Sequence, residues 1–228
     1  MKLGIDSYMY HLHFGKHPDF ANPNPRDVWW FLEQVLALGL DGFQIDPWHL
    51  PADQIDTIAQ FARQHRLYAE HSMGTIDVQP IKTNLALAER LGARLMRCFL
   101  GGTIAPADEQ RVKLNRAAAH LTQGVDLAEK SDVVIAIENH GDATADDLLH
   151  VMHQVAHPSV GVCFDVGNAL TVGDDPVTAC DKLAPHIVAT HFNDRRFIET
   201  DGKRRTVGVP LGQGVIDLPA ILAILADW

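Results

Sequence analysis

Three apolar runs in the second half of the chain each end in a side chain able to ligate a metal. Val133-Val134-Ile135-Ala136-Ile137 runs into Glu138-Asn139-His140, Val160-Gly161-Val162-Cys163-Phe164 into Asp165, and Ile187-Val188-Ala189-Thr190 into His191. From Glu138 to Asp165 is 27 residues, and from Asp165 to His191 is 26. A lone acid at the end of an apolar run is commonly a solvated boundary residue. Three successive ends carrying Glu, Asp and His are harder to dismiss. Two carboxylates and one imidazole make a mixed, oxygen-rich donor set. It suits a single Mn2+, Mg2+ or Co2+ ion, with Zn2+ also able to bind. A bound ion of this kind polarises a carbonyl and its neighbouring hydroxyl, which acidifies the adjacent C–H.

These intervals are close to one strand-plus-helix unit of a (β/α)8 barrel, roughly 30 residues. Parallel strands buried on both faces read as continuous apolar runs. Polar groups at their C-terminal ends meet at one mouth. The alternation runs through the whole chain. Strands are expected to end at Asp6, Asp46, Glu70-His71 and Leu100, ahead of the three above. Asn24-Pro25 is expected to cap and open the first helix. Helical faces follow at Ile55, Ile58, Ala59 and Ala62, at Ile81, Leu85, Ala88 and Leu91, and from Ala107 to Lys130. Another is expected between Asp175 and Ala184, and Asp217 caps a last one. A β-hairpin is expected around Asp201-Gly202. The count is seven βα units in one domain over residues 1–228, one strand short of closure. Bare edge strands invite aggregation. The expectation is therefore a TIM barrel that is incomplete at its C-terminus.

Composition narrows the partners. The formal net charge is −10, which disfavours nucleic acid, since phosphate binding relies on Lys and Arg. With 46% hydrophobic and 21% charged residues the chain can fill a core. The three cysteines stand apart with no CxxC, which favours a reducing, cytoplasmic setting. No run approaches the ~18 apolar residues of a membrane span.

Other polar residues sit beside the expected strand ends. Glu70 and His71 are candidates for hydrogen bonding substrate across the mouth. Asn139 and His140 are candidates for contacting substrate or supporting Glu138. Asn168 stands in the same relation to Asp165, with Gly167 allowing a tight backbone path. Arg195 and Arg196 follow His191 and could grip an anionic group. Arg196 is the candidate kept from that pair. His11, His13 and His17 lie in an aromatic first loop that could cover the mouth.

At these residues the chain resembles the xylose isomerase-like TIM-barrel superfamily, in particular its sugar phosphate isomerase/epimerase family. The resemblance rests on Ile137-Glu138-Asn139-His140, Phe164-Asp165-Val166-Gly167-Asn168, His191-Phe192-Asn193-Asp194 and Leu211-Gly212-Gln213-Gly214-Val215-Ile216-Asp217. It implies Glu138, Asp165 and His191 as ligands of one divalent metal. It also implies a fourth ligand, a Glu on an eighth strand that this sequence does not contain. Gln213 stands where Glu is common, and Asn193 where a basic residue is frequent. The implied activity is isomerisation or epimerisation of a small sugar, ketose or polyol, with Glu138 as general base. The alternatives are an inosose dehydratase-like lyase, an apurinic endonuclease-like phosphodiesterase and a non-catalytic sugar-binding barrel. The expected partners are a small-molecule substrate and no membrane, with homodimers or homotetramers common among such barrels.

Overall fold

The computed structural model describes residues 2–17, 19–76 and 78–228. Met1, Asp77 and Pro18 of the first loop lie outside the described residues. Seven strands form one sheet in chain order. They are β1 (Gly4–Asp6), β2 (Gly42–Ile45), β3 (Tyr68–Thr75), β4 (Leu95–Phe99), β5 (Val134–Glu138), β6 (Val160–Asp165) and β7 (Ile187–His191). Between them come helices α1 (Val28–Ala37), α2 (Ile55–His65), α3 (Val78–Leu91), α4 (Ala107–Lys130), α5 (Ala145–Val155), the short α6 (Asn168–Thr171) and α7 (Pro176–Leu183). The hairpin β8 (Asp194–Thr200) and β9 (Lys203–Val209) follows β7, and α8 (Leu218–Ala226) comes after it. Parallel strands in chain order, alternating with helices, are the TIM-barrel architecture. The described residues supply seven strands of the eight in a closed barrel. No described helix is long and apolar enough to cross a membrane.

Two compact units make up the chain. Unit 1 comprises residues 1–73, 79–97 and 126–134. Its parallel ladders pair Ile5 with Phe43, and Gln44 with Glu70. Phe31, Leu32, Phe43, Ile45, Ile55 and Ile58 are fully buried there, each contributing roughly 1.5–3 kcal/mol relative to exposure. Unit 2 comprises residues 74–78, 98–125 and 135–228. Ile135, Ile137, Leu148, Val162, Phe164 and Ile221 fill its core. Two turn signals hold here. Asp201 and Gly202 both take positive φ, 54° and 69°, as a tight type I′ hairpin turn requires. Asp175 caps α7 through Thr178 N, with Pro176 in its first turn.

Three expectations are corrected. The cap of α1 is Asp27, which accepts from Trp30 N at 2.9 Å. Asn24 instead donates its N–H to Asn22 Oδ1, so Asn22 turns the chain before the helix begins. β3 does not stop at Glu70-His71 but continues through Ser72-Met73-Gly74-Thr75. Those residues lack a run of branched apolar side chains, so the pattern fades before the strand does. An extra short helix, α6, precedes the expected one.

The ladder between β6 and β7 carries one irregularity that decides the site. Val162 pairs with Ile187, but Cys163 pairs with Ala189. Val188 is therefore an extra residue, a β-bulge. Its side chain is 47% exposed. Beyond the bulge Asp165 pairs with His191. Unshifted pairing would set Thr190 beside Asp165 and turn His191 to the opposite face, because side chains alternate. Gly161 makes the room. A Cβ there would come within 2.6 Å and 2.8 Å of the two Val188 methyls.

Candidate metal centre

Glu138, Asp165 and His191 are the last residues of β5, β6 and β7. The register explains why they face one another. Glu138 pairs with Cys163, Asp165 lies two residues further on the same face, and the bulge brings His191 onto that face. One ligand atom from each lies within 4.8 Å of the others. His191 Nδ1 is 3.6 Å from Glu138 Oε1 and 3.9 Å from Asp165 Oδ2. Glu138 and Asp165 are buried, and His191 is half-buried.

The electrostatics of the cluster are those of crowded acid. Burial raises the Asp165 pKa, and the neighbouring Glu138 charge raises it further. Burial opposes a charged His191, but the hydrogen-bonded Cys163 and then Glu138 outweigh it, so its pKa lies well above the ordinary value. A divalent cation between the two carboxylates removes their repulsion. The two-oxygen, one-nitrogen donor set fits such an ion.

Asp165 is held on all sides but one. The Asn139 side chain donates to Asp165 O at 2.8 Å and accepts from Asp165 N at 2.7 Å. Asp165 Oδ1 accepts from Gly167 N at 3.0 Å, Asn168 N at 2.8 Å and Asn193 Nδ2 at 2.8 Å. Asn168 also donates to Glu138 Oε1 at 3.2 Å and accepts from Arg195 at 3.2 Å. Gly167 has an ordinary negative φ of −82°. Its small size serves a close approach instead, since a Cβ would strike the Asn193 side chain.

The remaining candidates fall as follows. Asn139 braces the backbone of Asp165. His140 is exposed and stacks on Phe99, with centroids 4.3 Å apart. Arg196 is exposed on β8, and its neighbour Arg195 points the other way, toward Asn168. Glu70 and His71 lie within β3, in unit 1. Gln44 donates to Glu70 Oε2 at 2.9 Å, and His71 Nε2 meets Asn84 Oδ1 at 2.7 Å. Glu70 and His71 are neighbours on opposite faces of their strand.

Several organising residues were not singled out in the sequence. Asp194 is buried and accepts from Arg195 N, Gly212 N, Gly214 N and Ile216 N. It thereby fastens the Gly212–Ile216 loop to the base of the hairpin. The signal was Asp right after a strand end, with a Gly-x-Gly pair following. Arg97 stands inside the apolar run Leu95–Leu100, and a charge in a buried strand must be paired. It donates to Gln44 Oε1 and Asp46 Oδ1, both at 3.1 Å, and lies 3.6 Å from Asp6 Oδ2. In the first loop, His11 Nδ1 lies 3.1 Å from His49 Nε2, and His49 Nδ1 lies 2.9 Å from Ser7 Oγ.

A sequence profile of the xylose isomerase-like TIM barrel matches residues 32–227. The chain is 22% identical to a 3-oxo-isoapionate decarboxylase of Pectobacterium atrosepticum, covering 97% of this chain and 79% of that protein. Among solved structures it is similar to the IolI protein with a bound zinc atom (TM-score 0.78, 19% identity, covering 100% of this chain and 85% of that one). It is also similar to a D-tagatose 3-epimerase-like protein (TM-score 0.76, 18% identity, covering 100% of this chain and 86% of that one).

Proposed function

The chain belongs to the xylose isomerase-like TIM-barrel family, and we propose that it is a divalent-metal-dependent isomerase or epimerase of a small sugar, ketose or polyol. The observation that carries this is the convergence of Glu138, Asp165 and His191, with ligand atoms within 4.8 Å, at the ends of three consecutive strands. These three residues would hold one ion, with Mn2+, Mg2+ or Co2+ best suited to the donors. The ion would supply Lewis acidity toward a substrate carbonyl and its adjacent hydroxyl. Glu138 takes the proton from the carbon beside that carbonyl while the C–H electron pair shifts onto the carbonyl oxygen, and the proton returns to carbon from Glu138 or from solvent. Asn168 holds Glu138 Oε1 through its amide, which keeps the carboxylate aimed. Asp165 and His191 fix the ion and do not exchange protons with substrate. His140, exposed next to the Glu138 strand end, is available to a substrate hydroxyl, as is Arg196 to an anionic one.

A lyase is the second reading. The decarboxylase relative, aligned over nearly the whole of this chain, favours it. Both readings need charge to develop on a carbon beside a polarised carbonyl. They differ in which bond breaks.

The test is a panel of ketoses, polyols and 3-oxo sugar acids incubated with Mn2+ in D2O. The isomerase or epimerase reading expects deuterium on the carbon beside the carbonyl, with the carbon count unchanged. Release of CO2 or water would select the lyase. Absence of metal-dependent turnover across the panel, together with no bound ion by elemental analysis, would sink both.

A further inference from the structure

We propose that Asn193 is a positioning residue that turns Asp165 into a one-oxygen metal ligand. The proposal rests on the metal-site reading above and concerns only residues of unit 2. Oδ1 of Asp165 already accepts three hydrogen bonds, from Gly167 N, Asn168 N and Asn193 Nδ2. A carboxylate oxygen carrying three donors has little lone-pair density left for an ion. Among the described hydrogen bonds none falls on Oδ2, the oxygen that faces His191. Two of the three donors are backbone amides that any residue would supply. Asn193 is the one side chain in the set, so it is where sequence decides the outcome.

The orientation of the Asn193 amide follows from the carboxylate it meets. Nδ2 meets the Asp165 carboxylate. Oδ1 and Arg195 Nε both crowd the space that a Cβ on residue 167 would occupy. The amino end therefore meets the carboxylate, and a flipped amide would set its oxygen against that carboxylate. Gly167 lets this packing occur, since an alanine there would collide with the Asn193 side chain. Asn193 is also uncharged. It orients Asp165 without placing a fixed cation against the incoming ion, as a lysine at this position would. The two carboxylates then offer two negative charges to a divalent ion.

The test is Mn2+ affinity by calorimetry for Asn193→Leu and Gly167→Ala, each alone and together, with the metal-free Tm as a control. Asn193→Leu keeps the number and branching of the side-chain heavy atoms and removes the donor. Gly167→Ala displaces the same amide without changing it. Each variant is expected to bind Mn2+ roughly 10–100-fold more weakly, as for other residues that support a metal ligand. The metal-free Tm should stay near that of the wild type. The double variant should bind no more weakly than the weaker single one, because both act through one amide. The visible spectrum of the Co2+ form should change in Asn193→Leu as Oδ1 becomes available to the ion. Unchanged Mn2+ affinity in both single variants, with the wild type binding normally, would overturn the role of Asn193 and leave the metal reading standing. Loss of the metal-free fold in both would make Asn193 a structural residue and overturn it too. If Asn193→Leu alone fails to fold, Gly167→Ala decides. A wild-type chain that binds no Mn2+ would overturn the metal reading and this role together.

Discussion

In unit 1 the buried Asp46 is answered by an arginine, whereas in unit 2 Asp165 is answered by amides and an imidazole. Arg97 reaches Asp46, Asp6 and Gln44, and Gln44 passes the interaction on to Glu70. A guanidinium offers five donors in a fixed fork, and its charge never leaves. That network carries its own compensating cation. Asp165 and Glu138 instead meet neutral donors and a histidine. Neutral donors satisfy hydrogen bonding but do not cancel charge. The same fold thus builds one polar interior around a permanent cation and another in which the carboxylates meet neutral amides and a titratable imidazole. Number of acids does not separate a structural network from a binding site here. What separates them is whether the nearest positive charge is a fixed guanidinium or an imidazole that can give up its proton to bind an ion.

The sharpest test of that contrast is removal of the acid assigned to the chemistry. Glu138→Gln keeps the shape and removes the charge. Its kcat/KM on any metal-dependent substrate of the panel is expected to fall by about 10^2–10^4-fold, the range of a lost general base. Its metal-free Tm should hold or rise, because one of two repelling acids is gone. Retained turnover would end the assignment of Glu138 as base.

Unit 1 should respond in the opposite sense. Arg97→Met leaves the buried Asp46 carboxylate without its cation. Breaking a buried ion pair from one side costs roughly 3–5 kcal/mol. For a chain of this size that corresponds to a Tm lower by about 6–20 °C. Mn2+ affinity of the folded protein, measured at low temperature, should be unchanged. If Arg97→Met abolished metal binding without lowering Tm, the division between the two interiors would be wrong.

How much of this was legible in the sequence follows from what each feature leaves behind in a chain of letters. Glu138, Asp165 and His191 were legible because each ends a continuous apolar run, and the runs recur at the spacing of a βα unit. The hairpin was legible from Asp201-Gly202, since few residues tolerate two positive φ angles in succession. The end of β3 was misplaced because Ser72 to Thr75 mix small and polar side chains. The bulge at Val188 left no mark. Nothing in Ile187-Val188-Ala189-Thr190 tells which residue is the extra one, as all four suit a strand. Asn193 was visible as an unusual choice, but its reason lay in Gly167 and Asp165, 26 and 28 positions away. Arg97 was visible as a charge in an apolar strand, and only folding could name its partners.

The bulge gives a subtler way to sharpen the comparison. Gly161→Val would press on Val188 and on the His186 carbonyl. It should disturb the register that sets His191 beside Asp165. Mn2+ affinity is expected to fall about tenfold, the lower end of what misplacing a supporting group costs. Val188→Ala in the same chain should recover part of the loss by making room, a coupling that independent sites would not show. Equal affinity in Gly161→Val and wild type would mean the register does not depend on this glycine.

The smallest effect expected is a pH dependence that belongs to unit 1 alone. His49 is packed against Phe14, with ring centroids 4.1 Å apart, and is buried. Burial brings its pKa down from 6.5 to about 4, against the pull of Asp46 and with help from His11 and Lys16. Between these two values the unfolded chain binds a proton at this ring that the folded chain refuses. Stability from the neutral ring is therefore fully present above pH 6.5 and is lost as pH falls toward 4. His49→Gln removes the titration while leaving a polar side chain. Tm should fall by a few degrees less in the variant than in the wild type over that interval, and the two curves should run parallel above pH 7. Metal affinity at neutral pH should be the same in both, because the ring is already uncharged there. Parallel curves from pH 7 to 4 would show that His49 takes up its proton as readily folded as unfolded, and unit 1 would then be less closed to charge than its arginine-centred interior implies.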